Sequence, residues 1–363
     1  MISFVVGRGM GHLGRCISIS EKLQQHHLPI HVFAFRETHG YLSKNLHNDV
    51  QLKAFKSKKF EDGKQTTLLI NDWRSDVPRF RSEGKVGGNT KVVTLYHSDF
   101  IIGTNDSAPM REYKNRIVEI ANQSDIFLHM NLIPPKQTHP QMNCIYIPIP
   151  LITREISQSP QEVRRMLGLQ QNESFILVHM GGGLANRYEQ IVKWYDQINS
   201  LAGRYRFVVA GQLADEDYQF DERIIKAPLI PNGKNLVQAA SLVISKPGMG
   251  ILGDCISTGT PLLFLPPDDA EREQKIDMLR EIVNSDKVSI QEPEEIVPKI
   301  EYVLANKEVI QKRFSLIPTN GAEVASKIIE MAYRIPLSKL AKRQEDLLRL
   351  TPYSSFGHKD GCL

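Results

Sequence analysis

Three glycine-rich turns along the chain carry the residues best suited to chemistry. They cover residues 9–15 (Gly-Met-Gly-His-Leu-Gly-Arg), 181–183 (Gly-Gly-Gly) and 248–250 (Gly-Met-Gly). Glycine permits a tight turn and a close backbone approach, and a helix that starts at such a turn directs its free amide groups toward an anion. The three turns therefore predict that the protein binds phosphate groups.

His12, in the first turn, is the predicted general base. It falls at the start of a predicted helix, where the positive end of the dipole disfavours the imidazolium form. A neutral imidazole can take a proton from a hydroxyl group. Asp72 and Asp99 each follow a predicted strand, so either could orient His12 or touch a substrate, and each could equally be a helix cap or a loop carboxylate. His97 shares the loop of Asp99 and the same two interpretations.

The first turn also allows a different function. Gly9, Gly11 and Gly14 match the dinucleotide-binding fingerprint, and Glu37 follows the second predicted strand, where an acid would bind a ribose. A nicotinamide-dependent dehydrogenase is therefore an alternative interpretation.

The third turn opens a helix that carries an acid. Asp254 lies one turn beyond Gly250, where a carboxylate could accept hydrogen bonds from both hydroxyls of a ribose. Gln274 is expected to begin a later helix and could bind a sugar. The adjacent pair Asp268 and Asp269 does not form a convergent ligand set, so no metal site is expected.

Alternating apolar runs and helical patterns predict an α/β protein with two doubly wound, Rossmann-like domains facing a cleft. The first domain is expected over residues 1–150 and the second over 151–335, with a C-terminal helix and tail at 336–363 that packs back on the first domain. A proline-rich segment at 147–153 is the predicted linker. Ligands of such sheets bind beyond the carboxyl ends of the strands, where the three turns lie. Strands are predicted at residues 2–6, 31–35, 67–70, 91–95, 126–130, 144–147, 175–179, 206–210, 242–244 and 261–265.

Composition excludes several classes of protein. The chain has 363 residues, 41% hydrophobic and 24% charged, which is typical of a globular protein. No apolar run reaches the roughly 18–20 residues of a membrane helix. Four widely spaced cysteines favour a reducing cytoplasm over a disulfide framework or zinc site.

The net charge of +4 is concentrated in the first half of the chain. Residues 1–150 contain 19 basic and 13 acidic side chains, a net charge of +6, and the remainder is −2. This excess favours an anionic partner such as a phosphate, a carboxylate or an acidic lipid surface. It is small and lacks interleaved aromatic residues, so nucleic acid is not an expected partner.

In the order and spacing of these motifs, residues 1–330 resemble glycosyltransferases of the GT-B fold. They are similar in particular to the lipid-linked N-acetylglucosaminyltransferase of peptidoglycan synthesis and to related UDP-glycosyltransferases. The shared features are the N-terminal turn with its histidine, the central glycine loop, the C-terminal glycine turn with its helix acid, and an Asp-Arg-Gln-Gln-like segment, here Glu-Arg-Glu-Gln at 271–274.

The resemblance implies an inverting, metal-independent transfer of a hexosyl group from a UDP- or dTDP-sugar to an acceptor hydroxyl. His12 is then the base, and the acceptor is a small or lipid-linked molecule, anionic or met at a membrane surface. No cofactor other than the donor is implied. The implied donor-binding residues are Gly182, Gly183, Ile230, Gly248, Met249, Gly250, Asp254 and Gln274, and the implied acceptor-side residues are Gly9, Gly11, Arg15 and His97.

Two features depart from the family pattern, and a second resemblance remains open. The helix acid is Asp254 rather than glutamate, and the first glutamine of the last segment is replaced by Glu273. The turn at residues 9–15 is also similar to that of the UDP-sugar hydrolase of pseudaminic acid synthesis, in which water replaces the acceptor hydroxyl. A nucleotide-sugar sensor without catalysis is a further alternative.

Overall fold

The chain forms two compact units. The first contains Met1–Arg8, His12–Ile152 and the described residues from Pro318 onward, and the second contains Gly9–Gly11 and Thr153–Ile317. Within the described part of the chain, no helix combines the length and apolar character needed to cross a membrane. The computed structural model describes residues 1–56, 58, 60, 63–134, 142–182, 188–213 and 217–353.

The first unit is built on a parallel sheet whose strand order is β3-β2-β1-β4-β5-β6-β7. Each strand between the two edges is a short apolar run buried on both faces, as expected for a sheet covered by helices. The edge strand β3 was not predicted, because its sequence Gln-Leu-Lys-Ala is partly exposed and lacks an apolar run. The strands are β1 (Ile2–Val5), β2 (Ile30–Ala34), β3 (Gln51–Ala54), β4 (Leu68–Asp72), β5 (Lys91–Tyr96), β6 (Ile126–Met130) and β7 (Ile145–Ile149).

In the described residues of this unit, three α-helices connect strands before the chain enters the second unit. They are α1 (Met10–Gln24), α2 (His39–Leu42) and α3 (Ala108–Asn122). Ser107 caps α3, since its side chain accepts a hydrogen bond from the amide of Met110, and proline occupies the first turn. The described part of the chain also contains short 3-10 helices at Arg36–Thr38, Gly63–Gln65, Val77–Phe80, Asp286–Val288, Pro293–Glu295 and Ala341–Arg343.

The predicted linker begins too early. Strand β7 continues through Pro148, which pairs in register with His129 of β6. Because β7 is an edge strand, proline can occupy it without breaking a second hydrogen-bonded ladder. The chain leaves the first unit after Ile152.

The second unit has a smaller parallel sheet with the order β10-β9-β8-β11-β12. Helix α7 (Met249–Thr258) is followed by Gly259, whose φ of 68° is left-handed, and this glycine ends the helix before the next strand. The two-residue strand β10 was not predicted. The strands are β8 (Ile176–His179), β9 (Phe207–Val209), β10 (Ile225–Lys226), β11 (Leu242–Ser245) and β12 (Leu262–Phe264), and the helices are α4 (Pro160–Met166), α5 (Ile191–Ser200), α6 (Lys234–Ala239), α7 (Met249–Thr258), α8 (Ala270–Val283), α9 (Ile296–Ala305) and α10 (Lys307–Phe314).

The chain returns to the first unit at Pro318, earlier than predicted, so all of the C-terminal helices belong to that unit. The second domain was expected to end at residue 335, but the chain leaves it after Ile317. Gly321 opens α11 against the first unit, where its amide donates to the carbonyl of Leu151 and an added Cβ would lie 2.1 Å from the carbonyl oxygen of Pro150. These last helices are α11 (Gly321–Arg334), α12 (Leu337–Leu340) and α13 (Gln344–Leu348).

Lys91 fixes the far end of α11. Its Nζ donates to the carbonyls of Ala332, Tyr333 and Ile335 at 2.6, 2.8 and 2.6 Å. A lysine at this end of a helix satisfies carbonyls that have no helical partner and complements the dipole. The sequence pattern of α11 predicted a helix, but the lysine that caps it lies more than 200 residues away.

Candidate functional site

His12, Arg15 and Asp72 form a compact ionic cluster in the first unit. The Nδ1 atom of His12 lies 3.1 Å from Oδ1 of Asp72. The Nη2 atom of Arg15 lies 2.8 Å from the same carboxylate oxygen and 2.8 Å from His12 Nδ1. The side chains of Arg15 and Asp72 are 5% and 3% exposed, whereas that of His12 is 25% exposed. The cluster is therefore a buried ion pair with a solvent-accessible imidazole at its edge.

Two neighbouring elements bring these residues together. Asp72 is the last residue of β4, and His12 and Arg15 lie on the first turns of α1, which follows the adjacent strand β1. Gly7, between β1 and α1, leaves room for the imidazole, since a Cβ there would lie 3.0 Å from Cγ of His12. No sequence pattern indicates this role of Gly7, because it depends on the close approach of a side chain in the folded protein.

Asp72 is ionised at neutral pH. Burial alone would raise the pKa of its carboxyl, but the charges of Arg15 and His12 and their hydrogen bonds outweigh burial and hold the pKa below its usual range. Its second oxygen, Oδ2, is buried and has no hydrogen-bond partner within the described residues. The negative charge is thus kept beside His12 by Arg15 rather than by solvent.

The two contacts of His12 Nδ1 require opposite hydrogen positions. Nδ1 donates to Asp72 if it carries the proton, and accepts from Arg15 if it does not. The first arrangement leaves Nε2 as an acceptor, which is the state a general base requires.

The turn after β4 has a strained backbone and is held by side-chain hydrogen bonds. Trp73 has a φ of 59°, a left-handed conformation that is unusual for a bulky residue. Asn71 holds the turn from both sides, because its Oδ1 accepts from the amide of Arg74 at 2.8 Å and its Nδ2 donates to the Arg74 carbonyl at 3.0 Å. The indole stacks on Tyr96, with ring centroids 3.4 Å apart. This half-buried aromatic platform directly follows Asp72 in the chain.

The other acidic candidate has different partners. Oδ2 of Asp99 lies 2.9 Å from Nζ of Lys114 on α3, and Oδ1 accepts from the amide of Ile101. His97 is 5% exposed and stacks on Tyr96. Of the two carboxylates that the sequence left open as partners of His12, the structure therefore brings Asp72 to it.

The dinucleotide interpretation of the first turn loses support. Its third glycine should allow close packing of helix and strand, yet a Cβ added to Gly14 would meet nothing within 4 Å. Glu37, the proposed ribose-binding acid, pairs with Arg8 at 2.9 Å. Gly9 and Gly11 lie in the segment that groups with the second unit.

A cationic and aromatic cluster that sequence analysis missed follows strands β1 to β4 of the first unit. The guanidinium of Arg8 lies 4.2 Å from the ring centroid of Phe35, and that of Arg74 lies 4.6 Å from the ring of Phe55. Arg74 also forms a two-pronged ion pair with Asp76. Phe35 ends a predicted strand and could have indicated this cluster, whereas Phe55 follows β3, a strand that the sequence pattern does not predict.

In the second unit, Asp254 lies on α7 and faces two basic residues. Burial raises the pKa of its carboxyl to about 6, and the charges of Lys234 and Arg154 only partly oppose this rise. Lys234 is itself 6% exposed and donates to the carbonyl of Arg154 at 2.7 Å. Arg154 in turn donates to the carbonyl of Pro231. The acid predicted to hold a ribose is thus a partly buried group whose charge is incompletely compensated.

The second glycine-rich turn contains a lysine contact that the sequence did not reveal. Gly181 has a φ of 85°, and a Cβ there would lie 2.6 Å from Cε of Lys246, the residue after β11. The Gly182 carbonyl accepts a hydrogen bond from the amide of Leu213. Gly183, the third predicted glycine of this turn, lies outside the described residues.

The third turn is in the predicted place. Gly248 caps α7 in an extended conformation, Met249 is buried and Gly250 is exposed. Ile230 lies in the loop after β10 and is 7% exposed. A further glycine, Gly211 after β9, allows this loop to approach, since a Cβ there would lie 2.6 Å from the amide nitrogen of Leu229.

The helix expected to begin at Gln274 begins earlier, at Ala270, because Asp269 caps it by accepting from the amide of Arg272. Gln274 is buried, whereas Glu273 is exposed. The glutamate that replaces the family's first glutamine therefore points away from the interior of the unit.

Asp268 and Arg272 form a buried ion pair at the start of α8. Both side chains are 7% exposed. Asp268 also accepts from the amide of Glu189, and Arg272 lies over the ring of Tyr188. The acidic pair at 268–269 is thus engaged in capping and ion pairing.

Comparison with solved structures gives the fold. The chain is similar to the spinosyn forosaminyltransferase SpnP (TM-score 0.59, 10% identity, 91% of this chain and 98% of that chain). It is also similar to TcCGT1 in complex with UDP (TM-score 0.60, 14% identity, 96% and 99%) and to a UDP-glucosyltransferase from Polygonum tinctorium (TM-score 0.59, 13% identity, 95% and 98%). The protein has the GT-B fold of UDP-glycosyltransferases, as its motifs predicted.

Comparison of the sequence with families and curated proteins does not identify a family for the chain. No protein-family model matches the chain. L-arabinokinase from Arabidopsis thaliana is 22% identical over 188 residues, which are 52% of this chain and 17% of that protein. The chain thus spans less than a fifth of the length of this relative. These comparisons favour neither a nucleotide-sugar hydrolase nor a nicotinamide-dependent dehydrogenase.

Proposed function

We propose that the protein is an inverting glycosyltransferase that moves a hexosyl group from a UDP- or dTDP-sugar to an acceptor hydroxyl. The observation that carries the proposal is the contact between His12 and the buried carboxylate of Asp72 in a chain with the GT-B fold. The first unit binds the acceptor and the second binds the donor.

His12 acts as the general base. Asp72 holds the proton on Nδ1 of His12, so that Nε2 takes the proton of the acceptor hydroxyl as its oxygen attacks the anomeric carbon. The bond between that carbon and the diphosphate oxygen breaks, and the nucleoside diphosphate leaves with the electron pair. Arg15 fixes the carboxylate and compensates its charge, which leaves Asp72 ionised while the imidazolium forms.

The donor is oriented by the second unit. Asp254 accepts hydrogen bonds from the ribose hydroxyls, the loop at Ile230 meets the base, and Gln274 meets the sugar. The glycine turns of this unit present backbone amides to the diphosphate. Transfer by this route requires no divalent metal and no cofactor beyond the donor.

The acceptor is an anionic or lipid-linked molecule in the cytoplasm. The support for this part is the net charge of +6 in residues 1–150 together with the cationic and aromatic cluster after β1 to β4. Binding of the protein to vesicles of acidic lipids should weaken as the salt concentration is raised from low to physiological ionic strength.

The test combines ligand binding with turnover. Thermal shifts with UDP, dTDP, GDP, NAD and NADP should identify UDP or dTDP as the stabilising ligand. Release of the nucleoside diphosphate from UDP- and dTDP-sugars should then require an acceptor, continue in EDTA and be about 10²- to 10⁴-fold slower in His12→Ala. Stabilisation by NAD or NADP alone, or acceptor-independent release at the full rate, would refute the proposal.

A further inference from the structure

Lys246 occupies a special place in the second unit. It is the first residue after β11, at the carboxyl end of the sheet, and it lies two residues before Gly248, the cap of α7. Strands β8 and β11 are neighbours with His179 in register with Ser245. The hydroxyl of Ser245 lies 2.6 Å from the carbonyl oxygen of His179 and 2.8 Å from that of Lys246, and so joins the two strand ends.

The glycine turn after β8 is shaped around the lysine side chain. A Cβ at Gly181 would lie 2.6 Å from Cε and 3.0 Å from Nζ of Lys246. Real Cβ atoms do not approach other atoms so closely, and the φ of 85° at Gly181 independently favours glycine. The ammonium is therefore held directly over the backbone of a turn whose amide groups were predicted to bind phosphate.

The groups around Lys246 change the pKa of its ammonium in opposite directions. Burial and the charge of Arg272 lower the pKa of Lys246 to about 8, while Asp268, Asp269 and Glu271 act in the opposite direction. Arg272 is already paired with Asp268 in the buried ion pair at the start of α8.

The neighbouring histidine does not share this positive charge. Burial and the charge of Lys246 lower the pKa of His179 to about 4, so the imidazole is neutral near pH 7. At neutral pH, the residue that brings positive charge to this pair of strand ends is Lys246.

We propose that Lys246 is a phosphate-binding residue that contacts the diphosphate of a nucleoside diphosphate donor and stabilises the departing diphosphate. This inference rests on the proposed function and adds to it a cationic residue that the glycine motifs did not indicate. An ammonium bound to phosphate forms charge-assisted hydrogen bonds, which are stronger than those of backbone amides alone. The same contact becomes more favourable as negative charge develops on the leaving group.

The test measures the diphosphate-dependent part of binding by calorimetry with UDP, UMP, uridine and pyrophosphate. Lys246→Met should lower UDP affinity about 10- to 100-fold and leave uridine affinity unchanged. Lys246→Arg should lose less UDP affinity than Lys246→Met, because it keeps the positive charge. The matched control is Lys193→Met, which removes an exposed lysine on α5 of the same unit and should bind UDP normally.

The pH dependence provides a readout that a structural role would not produce. UDP affinity of the wild type should fall as pH rises above about 8, where Lys246 loses its proton, and the affinity of Lys246→Met should not show this fall. The wild-type curve keeps the inference testable even if the variant fails to fold.

Several results would overturn the inference. One is unchanged UDP affinity in Lys246→Met, and another is an equal loss of affinity for UDP and uridine. If the wild type binds neither UDP nor dTDP, the proposed function fails. Pyrophosphate binding that disappears in Lys246→Met would then still support a phosphate site, and its persistence would refute one.

Discussion

Asp72 is buried at the end of β4 in the first unit, Asp254 is partly buried on α7 in the second unit, and the charges of these two acids are compensated differently. In the first unit, Arg15 and His12 contact Asp72 directly and keep its pKa low. In the second unit, the pKa of Asp254 rises to about 6, because burial outweighs the charges of Lys234 and Arg154. The first carboxylate is a permanent anion suited to orienting a base, and the second has binding capacity left for a ligand.

The largest expected effect tests the first unit. His12→Ala should lower the rate of sugar transfer about 10²- to 10⁴-fold, because it removes the general base. Donor affinity, measured by calorimetry with UDP, should remain unchanged. His26→Ala is a suitable control, since His26 is 39% exposed and pairs only with Glu330 among the contacts described for it. Normal turnover in His12→Ala would remove the basis for assigning catalysis to this unit.

Breaking the compensated pair should also cost stability. Asp72→Ala leaves Arg15 buried without its carboxylate, so the free energy of unfolding should fall by about 3–5 kcal/mol. Chemical denaturation measures this change. Asp99→Ala, which removes a 46% exposed carboxylate, is the control and should cost far less. Similar losses in the two variants would contradict the contrast between a buried and a surface acid.

Replacing Asp254, whose charge is only partly compensated, should change stability in the opposite direction. The pKa of Asp254 is higher in the folded protein than in the unfolded chain, so its ionisation destabilises the fold as pH rises from about 4 through about 6. At pH 8, Asp254→Asn should therefore raise the free energy of unfolding by about 1–2 kcal/mol. The same variant should bind UDP more weakly, because it lacks the carboxylate that is proposed to bind the ribose. The substitution would therefore increase stability and decrease donor affinity. A destabilised variant would show that Asp254 is compensated after all.

The pH dependence of UDP binding tests whether Asp254 must be ionised to bind the donor. UDP affinity of the wild type should fall as pH drops below about 6, by up to about tenfold per pH unit, since a protonated Asp254 accepts hydrogen bonds less well. The Asp254→Asn variant should show no such fall, whereas Asp277→Asn, at an exposed position on α8, should retain it. A fall of equal size in Asp254→Asn would assign the titration to another group.

The smallest effect concerns how each unit makes a left-handed turn. In the turn that follows β8 of the second unit the left-handed residue is Gly181, whereas in the turn that follows β4 of the first unit it is Trp73. Because a Cβ is unfavourable at positive φ, Trp73→Gly should be more stable than Trp73→Ala by about 1 kcal/mol in the free energy of unfolding. The reverse order, which is usual elsewhere in a chain, would show that the turn relaxes when the indole is removed.

The fold class could be predicted from the sequence alone, and so could the residues of the candidate site in the first unit. Short apolar runs alternating with helical patterns specify parallel strands, because only buried strands read as continuous apolar runs. The glycine turns and His12 could be located for the same local reason, since turn geometry depends on a few neighbouring residues. The pattern does not predict β3, which is partly exposed and lacks an apolar run, or β10, which has two residues. It also extends the second domain over α11, because a helix pattern does not reveal which unit a helix packs against.

Which side chains contact each other depends on the tertiary structure. The choice of Asp72 over Asp99 as the partner of His12 depends on β4 lying beside β1 in the sheet. The contact of Lys246 with Gly181 depends likewise on β11 lying beside β8. Whether a buried charge is compensated depends on groups brought within a few ångströms by folding, and this distance is not recorded in the spacing of residues along a chain.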